Sequence, residues 1–227
     1  FMLTAFLPST SISLILGLPA IWVISEWVRS WVFTGFPWLY AGYSHTETWL
    51  NGWAPIGGVL SLSLFSALTA MLFLWFVQGM GQRRSTLSLS VILMVLAISG
   101  YLLQQVNWTK DIGEPLTVAL IQPNMAQNEK WSVEKRRTIL TQLAAQTEAY
   151  WGHNIIIWPE AAVPSTPKRI PVFMQNLERK ANDSGSTLLT GIITQDGEQG
   201  RYYNSVLAIG DQSGQYHKTR LVPFGEY

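Results

Sequence analysis

The chain has no cysteine anywhere in its 227 residues. That excludes disulfides, zinc–thiolate sites and any cysteine nucleophile within these residues. Charge is also scarce: Asp, Glu, Lys and Arg together make up 13%, about half the usual globular share. A net charge of +1 leaves no electrostatic footprint for nucleic acid, and no nucleic-acid partner is expected. The three histidines, His45, His153 and His217, show no metal-ligand spacing, so no metal centre is expected. Gly-x-Ser-x-Gly, His-Glu-x-x-His, a Walker loop and Gly-x-Gly-x-x-Gly are all missing. Candidate chemistry is thereby reduced to carboxylates and lysines.

What charge there is falls unevenly. Residues 1–105 contain only Glu26, Arg29, Glu47, Arg83 and Arg84, and the rest of the charge follows residue 105. A globular domain spreads its polar surface along the chain, whereas a membrane region followed by a soluble domain segregates charge in this way. Ala54–Val77 and Thr86–Val106 are uncharged runs, each long enough to cross a hydrocarbon core of about 30 Å. An earlier apolar run is interrupted by Pro8 and Pro19. We therefore expect a transmembrane region over 1–106, with helices at 10–32, 54–77 and 86–106, and a second domain over 107–227. No basic segment precedes a single isolated apolar stretch, so a cleaved signal peptide is not expected. The chain begins with Phe1 and stops at Tyr227 directly after a dense motif, which predicts a piece of a longer protein.

Arg83 and Arg84 lie in a short connection without acids, which assigns it to the cytoplasmic side and residues after Asn107 to the opposite side. The loop from Thr34 to Trp53, with Phe36, Trp38, Tyr40 and Tyr43, falls on that outer side. Glu26 and Arg29 are three residues apart and can pair on one helical face, as a structural ion pair. Trp22, Trp27, Trp31, Trp38, Trp49 and Trp53 cluster near the outer interface. Two readings stand side by side: an ordinary aromatic belt, or an aromatic mouth that receives lipid chains.

After residue 107 the pattern alternates. Strands are predicted at Leu116–Gln122, Asn154–Trp158, Thr187–Thr194, Tyr203–Ile209 and Gln215–Thr219. Helices are predicted within Lys130–Trp151 and over Pro171–Asn182, the second stopped by Asp183-Ser184-Gly185. The order implies a layered α/β sandwich whose last three strands are antiparallel. Glu160 follows Ile155-Ile156-Ile157-Trp158-Pro159, just past the carboxyl end of a strand, where ligand crevices open in layered α/β folds. Beside Trp158 it could be partly desolvated and serve as a general base. It could equally be an acid at a helix start. Lys218, in Tyr216-His217-Lys218-Thr219-Arg220, could be an ordinary strand lysine or a functional cation. The following Leu221-Val222-Pro223-Phe224-Gly225-Glu226 is too apolar for a solvated loop and is expected to pack against a core or pocket, with Glu226 placed to balance Lys218.

Trp158-Pro159-Glu160, together with Tyr216-x-Lys218-x-x-Leu221-Val222-Pro223-Phe224-Gly225-Glu226, resembles the nitrilase superfamily. More closely, the chain resembles the bacterial apolipoprotein N-acyltransferases. Glu26-Trp27-x-Arg29, Gly35-Phe36-Pro37-Trp38, Gly42-Tyr43-Ser44 and Ala54-Pro55-Ile56 extend the likeness into the membrane half; Gln122-Pro123-Asn124, Lys130-Trp131 and Tyr203-Asn204-Ser205 extend it through the second half. The resemblance implies integral membrane helices followed by a nitrilase-like α-β-β-α sandwich, incomplete at its C-terminus. It implies a Glu-Lys-Cys triad in which Glu160 is the base and Lys218 meets the oxyanion, while the cysteine lies outside this chain. Glu226 matches a second essential glutamate and Trp131 a tryptophan on an arm at the site's mouth. Trp38, Tyr203 and Asn204 join Trp131 as expected substrate contacts. The implied reaction moves an acyl chain from a phosphatidylethanolamine-like phospholipid to a diacylglyceryl apolipoprotein, without metal or organic cofactor, by a monomer in the bacterial inner membrane with its soluble domain in the periplasm. These residues alone should be inactive. A membrane-tethered amidase, a pseudoenzyme that binds lipid or acylated protein, and a pure membrane anchor are the competing readings; the last leaves the Lys218–Glu226 segment without a purpose.

Overall fold

The computed structural model describes residues 11–77, 83–126, 130–196 and 200–222. These residues form two compact units, one running to Asp111 and also holding 220–222, the other Ile112–Thr219.

The first unit is helical. Helix α1 is Ser11–Arg29, α2 Ala54–Val77 and α3 Arg83–Leu103. α2 has the expected limits, and both other helices are shifted. α1 stops three residues before 32 because Phe33 (φ 52°) and Thr34 (φ 74°) turn left-handed ahead of Gly35, a conformation that no right-handed helix continues through. α3 begins at Arg83 rather than residue 86, since arginine extends a helix readily. It ends at Leu103 because Gln105 and Val106 donate to the carbonyls of Leu102 and Leu103 in tighter turns. Among the described residues, one helical stretch, Trp49–Val77, is long and apolar enough to cross a membrane.

The segment between α1 and α2 folds back over the end of α1, and this changes the expected Glu26–Arg29 pairing. Glu26 is 3% exposed. Its Oε1 accepts from the Trp22 indole N–H and from the Ala41 backbone N–H, both at 2.9 Å. Arg29 instead donates to the Leu39 carbonyl at 3.5 Å and stacks its guanidinium 5.1 Å from the Tyr40 ring centre. The backbone of the returning segment claims both side chains: the Ala41 N–H donates to the buried Glu26 carboxylate, and the Leu39 carbonyl accepts from Arg29. Gly42 lets that segment touch α2, where a Cβ would meet the Val59 carbonyl at 2.2 Å.

The second unit is a five-stranded sheet in the order β1-β2-β3-β4-β5. β1 (Val118–Leu120), β2 (Ile155–Ile157) and β3 (Thr187–Gln195) are parallel; β4 (Tyr202–Ile209) and β5 (Gly214–His217) continue antiparallel. The crossover helices are α4 (Arg136–Thr147) and α5 (Pro171–Ser184). α5 starts on a proline, which has no N–H to orphan. It ends on Gly185 at φ 67°, while Ser186 N–H reaches back to Ala181. Strand alternation sends Ile156, Leu188 and Ile192 to one face, where they meet Leu143 of α4 and Leu177 and Ala181 of α5. Leu143, Ile156, Leu188 and Ile192 are fully buried, and each such side chain contributes about 1.5–3 kcal/mol. The opposite face carries Leu120, Val206 and Tyr216, all exposed among the described residues. Among the described residues, α4 and α5 cover one face of this mixed sheet, and the other face is apolar.

Candidate active site

The apolar face holds a cavity of about 370 Å³, lined by Ile157, Glu160, Leu189, Asn204, Tyr216 and Lys218 among others. Its acid is delivered by a turn. After β2, Trp158 N–H still donates to the Leu189 carbonyl, but the next ladder contact is Val163 N–H to the Gly191 carbonyl. Between them the chain leaves the sheet in a Pro159–Ala162 turn closed by Ala162 N–H to the Pro159 carbonyl, with Ala161 left-handed at φ 47°. Left-handed alanine costs about 1–2 kcal/mol, and strain of this kind collects where geometry serves function.

Two neighbours make this turn possible. Gly191 lies beneath it: a Cβ there would come within 2.4 Å of Ala161 N, 2.6 Å of the Pro159 carbonyl oxygen and 2.7 Å of Glu160 Cα. Trp158 anchors the near end, 2% exposed, with its indole N–H donating to the Thr147 hydroxyl at 2.9 Å. That hydroxyl in turn donates to the Leu143 carbonyl at 2.7 Å, so the anchor is a satisfied buried network.

The Glu160 carboxylate accepts at Oε1 from Lys218 Nζ at 2.9 Å and from Asn204 Nδ2 at 2.7 Å. The register of β3, β4 and β5 brings these residues together: Gly191 pairs with Val206, and Val206 with Tyr216. Asn204, Val206, Tyr216 and Lys218 then project to one face. Glu160 is not desolvated as the sequence suggested. Its side chain is 62% exposed against 28% for Lys218, and its Oε1 faces a cation and an amide. Lys130 Nζ donates to the Glu160 backbone carbonyl at 3.0 Å.

Of the other predicted site residues, one joins the site and the rest that are described lie elsewhere. Asn204 contacts Glu160 itself. Tyr203, one residue away in β4, faces the other side and packs its ring 4.4 Å from His217. His217 also pairs through Nδ1 with the buried Ser205 hydroxyl at 2.8 Å, which makes it a hydrogen-bonded sheet histidine. Trp131 is exposed in the second unit, and Trp38 is exposed in the first. Leu221 belongs to the first unit, where its carbonyl accepts from Thr34, and Val222 is exposed. Glu226 lies outside the described residues.

Sequence reasoning did not single out Gly191 or assign Lys130 a role. A glycine inside a β-rich run is itself a sign of close backbone approach, so Gly191 was detectable. A carboxylate, an amine and an amide around an apolar cavity can take up a proton and stabilise a developing oxyanion. A cysteine nucleophile cannot come from these residues, since they contain no cysteine.

Two family models match. That for the apolipoprotein N-acyltransferase N-terminal domain covers residues 1–72, and that for carbon-nitrogen hydrolase covers 117–227. Curated relatives named apolipoprotein N-acyltransferase include those of Methylococcus capsulatus, 37% identical over 94% of this chain and 42% of its own length, and Vibrio parahaemolyticus, 38% identical over 98% of this chain and 45% of its own. The Azotobacter vinelandii relative is 39% identical over 93% of this chain and 42% of its own. The chain thus spans less than half the length of these relatives. A solved N-terminal amidase superposes on 48% of this chain and 28% of its own, at 21% identity and a TM-score of 0.33, too loosely to transfer any residue's role.

Proposed function

This chain belongs to the apolipoprotein N-acyltransferase family, and from that premise we propose that the whole protein moves an acyl chain from a phospholipid to the N-terminal diacylglyceryl-cysteine of an apolipoprotein. The observation that carries this reading is the Lys218–Glu160–Asn204 constellation on an apolar cavity, within a segment matching carbon-nitrogen hydrolases and preceded by apolar helices. The nucleophile is a cysteine outside these residues.

Glu160 takes the thiol proton, and the thiolate attacks the ester carbonyl of a phosphatidylethanolamine-like donor. A C–S bond forms, the ester C–O bond breaks, and the lysophospholipid leaves with the proton returned by Glu160. The lipoprotein amine then attacks the thioester; a C–N bond forms, the C–S bond breaks, and the amine proton passes to Glu160 and back to sulfur. Lys218 stabilises the oxyanion in both steps, a contribution of about 10²–10³ in rate for such a donor. Proton transfer by Glu160 is worth about 10²–10⁴. Glu226, which lies outside the described residues, serves as a second acid in this reading.

α1, α2 and α3 cross the bacterial inner membrane, a reading supported by exposed Leu16 and Ile24 of α1, Phe73 and Phe76 of α2, and Ile92 and Val95 of α3, and the second unit lies on the periplasmic side. Trp38 and Trp131, both exposed, contact acyl chains. Lacking cysteine, the 227 residues alone form no thioacyl intermediate.

The test is a mass measurement. Full-length protein in detergent, supplied with phospholipid and a diacylglyceryl-cysteine peptide, adds one acyl chain to the peptide amine. Glu160→Gln loses this activity. Cleavage of a small amide without transfer to the peptide would replace this reading with an amidase; no reaction from folded full-length protein would favour a binding role.

A further inference from the structure

We propose that Lys130 is a positioning residue that holds the Glu160 turn by its main-chain carbonyl and ties the Trp131 segment to it. The catalytic consequence rests on the function proposed above; the tether itself does not.

The Glu160 carboxylate is oriented by Lys218 and Asn204, but these contacts act only on its far end. The backbone below it is strained. Ala161 is left-handed, and the turn's own hydrogen bonds run through the carbonyls of Pro159 and Gly191. The Glu160 carbonyl belongs to the peptide plane that joins Glu160 to Ala161, so its direction sets the Ala161 φ angle. Lys130 Nζ donates to that oxygen at 3.0 Å from thirty positions earlier in the chain. A cationic donor makes this a charge-assisted bond, stronger than the neutral bonds beside it. It favours the peptide orientation that the left-handed alanine requires.

The same residue begins the segment that carries Trp131. Lys130 is half-buried, its own N–H donates to the Ala126 carbonyl at 3.2 Å, and the adjacent Trp131 is 53% exposed. A displacement at Trp131 is therefore one residue from the bond that orients Glu160. A substrate chain resting on Trp131 would bear on the base without touching it.

The experiment uses full-length protein in detergent micelles with Lys130→Met and Lys130→Arg. Hydrogen exchange is followed in peptides covering residues 159–163, and steady-state acyl transfer is resolved into kcat and KM. Lys130→Met should speed exchange at Ala161–Val163 by about tenfold as the turn opens locally. It should lower kcat by about tenfold with phospholipid KM unchanged, the pattern of a misplaced base, whereas removing a group that binds substrate would raise KM. Lys130→Arg, which keeps a cationic donor, should restore both. Unchanged exchange in Lys130→Met overturns the tether, and so does failure of Lys130→Arg to restore it. Faster exchange with unaltered kcat overturns the positioning role. If the wild-type protein transfers no acyl chain, the function reading fails while the exchange measurement still decides the tether.

Discussion

Replacing Gly191 by alanine tests whether the Glu160 turn depends on backbone contact with β3. The added Cβ would lie 2.4 Å from Ala161 N, 2.6 Å from the Pro159 oxygen and 2.7 Å from Glu160 Cα. Ordinary contact needs about 3.5 Å, so the turn must retreat by about 1 Å. All three obstructing atoms are main chain, and no side-chain rotation relieves the clash. Overpacking of this kind costs about 1–3 kcal/mol. The displacement also stretches the 2.9 Å contact between Glu160 and Lys218, and a 1 Å misplacement of a catalytic group lowers rate by about 10². Gly214→Ala is the control, because nothing lies within 4 Å of its added Cβ. Urea unfolding and acyl-transfer rates of full-length protein in detergent would measure both effects. A Gly191→Ala protein as stable and as active as the Gly214→Ala control would refute the turn's dependence on that glycine.

Thr147→Val should cost about 1–3 kcal/mol of unfolding free energy, because it leaves the buried Trp158 indole N–H without an acceptor; Thr147→Ser, which keeps the hydroxyl, should recover most of it in the same titration. Lys218→Met should reduce acyl transfer by about 10²–10³ while changing stability by less than about 1 kcal/mol, because the Lys218–Glu160 pair is solvent-accessible. A large stability loss would mark that pair as structural instead. Ala161→Gly removes the left-handed penalty but adds unfolded-state freedom, so its unfolding free energy should be unchanged or higher by up to about 1 kcal/mol. A clear loss of stability would contradict strain at that residue.

Much of the architecture was readable because it is local. β-branched Ile155–Ile157, Pro171 at the start of α5 and Gly185 at its end act within a few residues. The apolar run Ala54–Val77 marked its own limits. The helix limits that shifted did so for local reasons, whereas the side-chain partners that came out differently depended on distant parts of the chain. Glu26 and Arg29 are spaced to pair, yet the returning Leu39–Ala41 backbone claims both. Tyr203 and Asn204 are adjacent in the motif but point to opposite faces of β4, so only Asn204 reaches the cavity.

The sequence by itself determined the segregation of charge and the helix and strand order of both units, and it put forward Glu160 and Lys218 as the candidate acid and amine. These rest on composition, short-range periodicity and motif. Tertiary structure alone decided that Glu160 meets Lys218 fifty-eight positions later and Asn204 forty-four positions later, that Gly191 makes room for the turn, and that Lys130 holds its carbonyl. The meeting of Glu160, Asn204 and Lys218 follows from the register of β3, β4 and β5. A shift of one residue in that register would turn Asn204 away from Glu160, because side chains alternate faces along a strand.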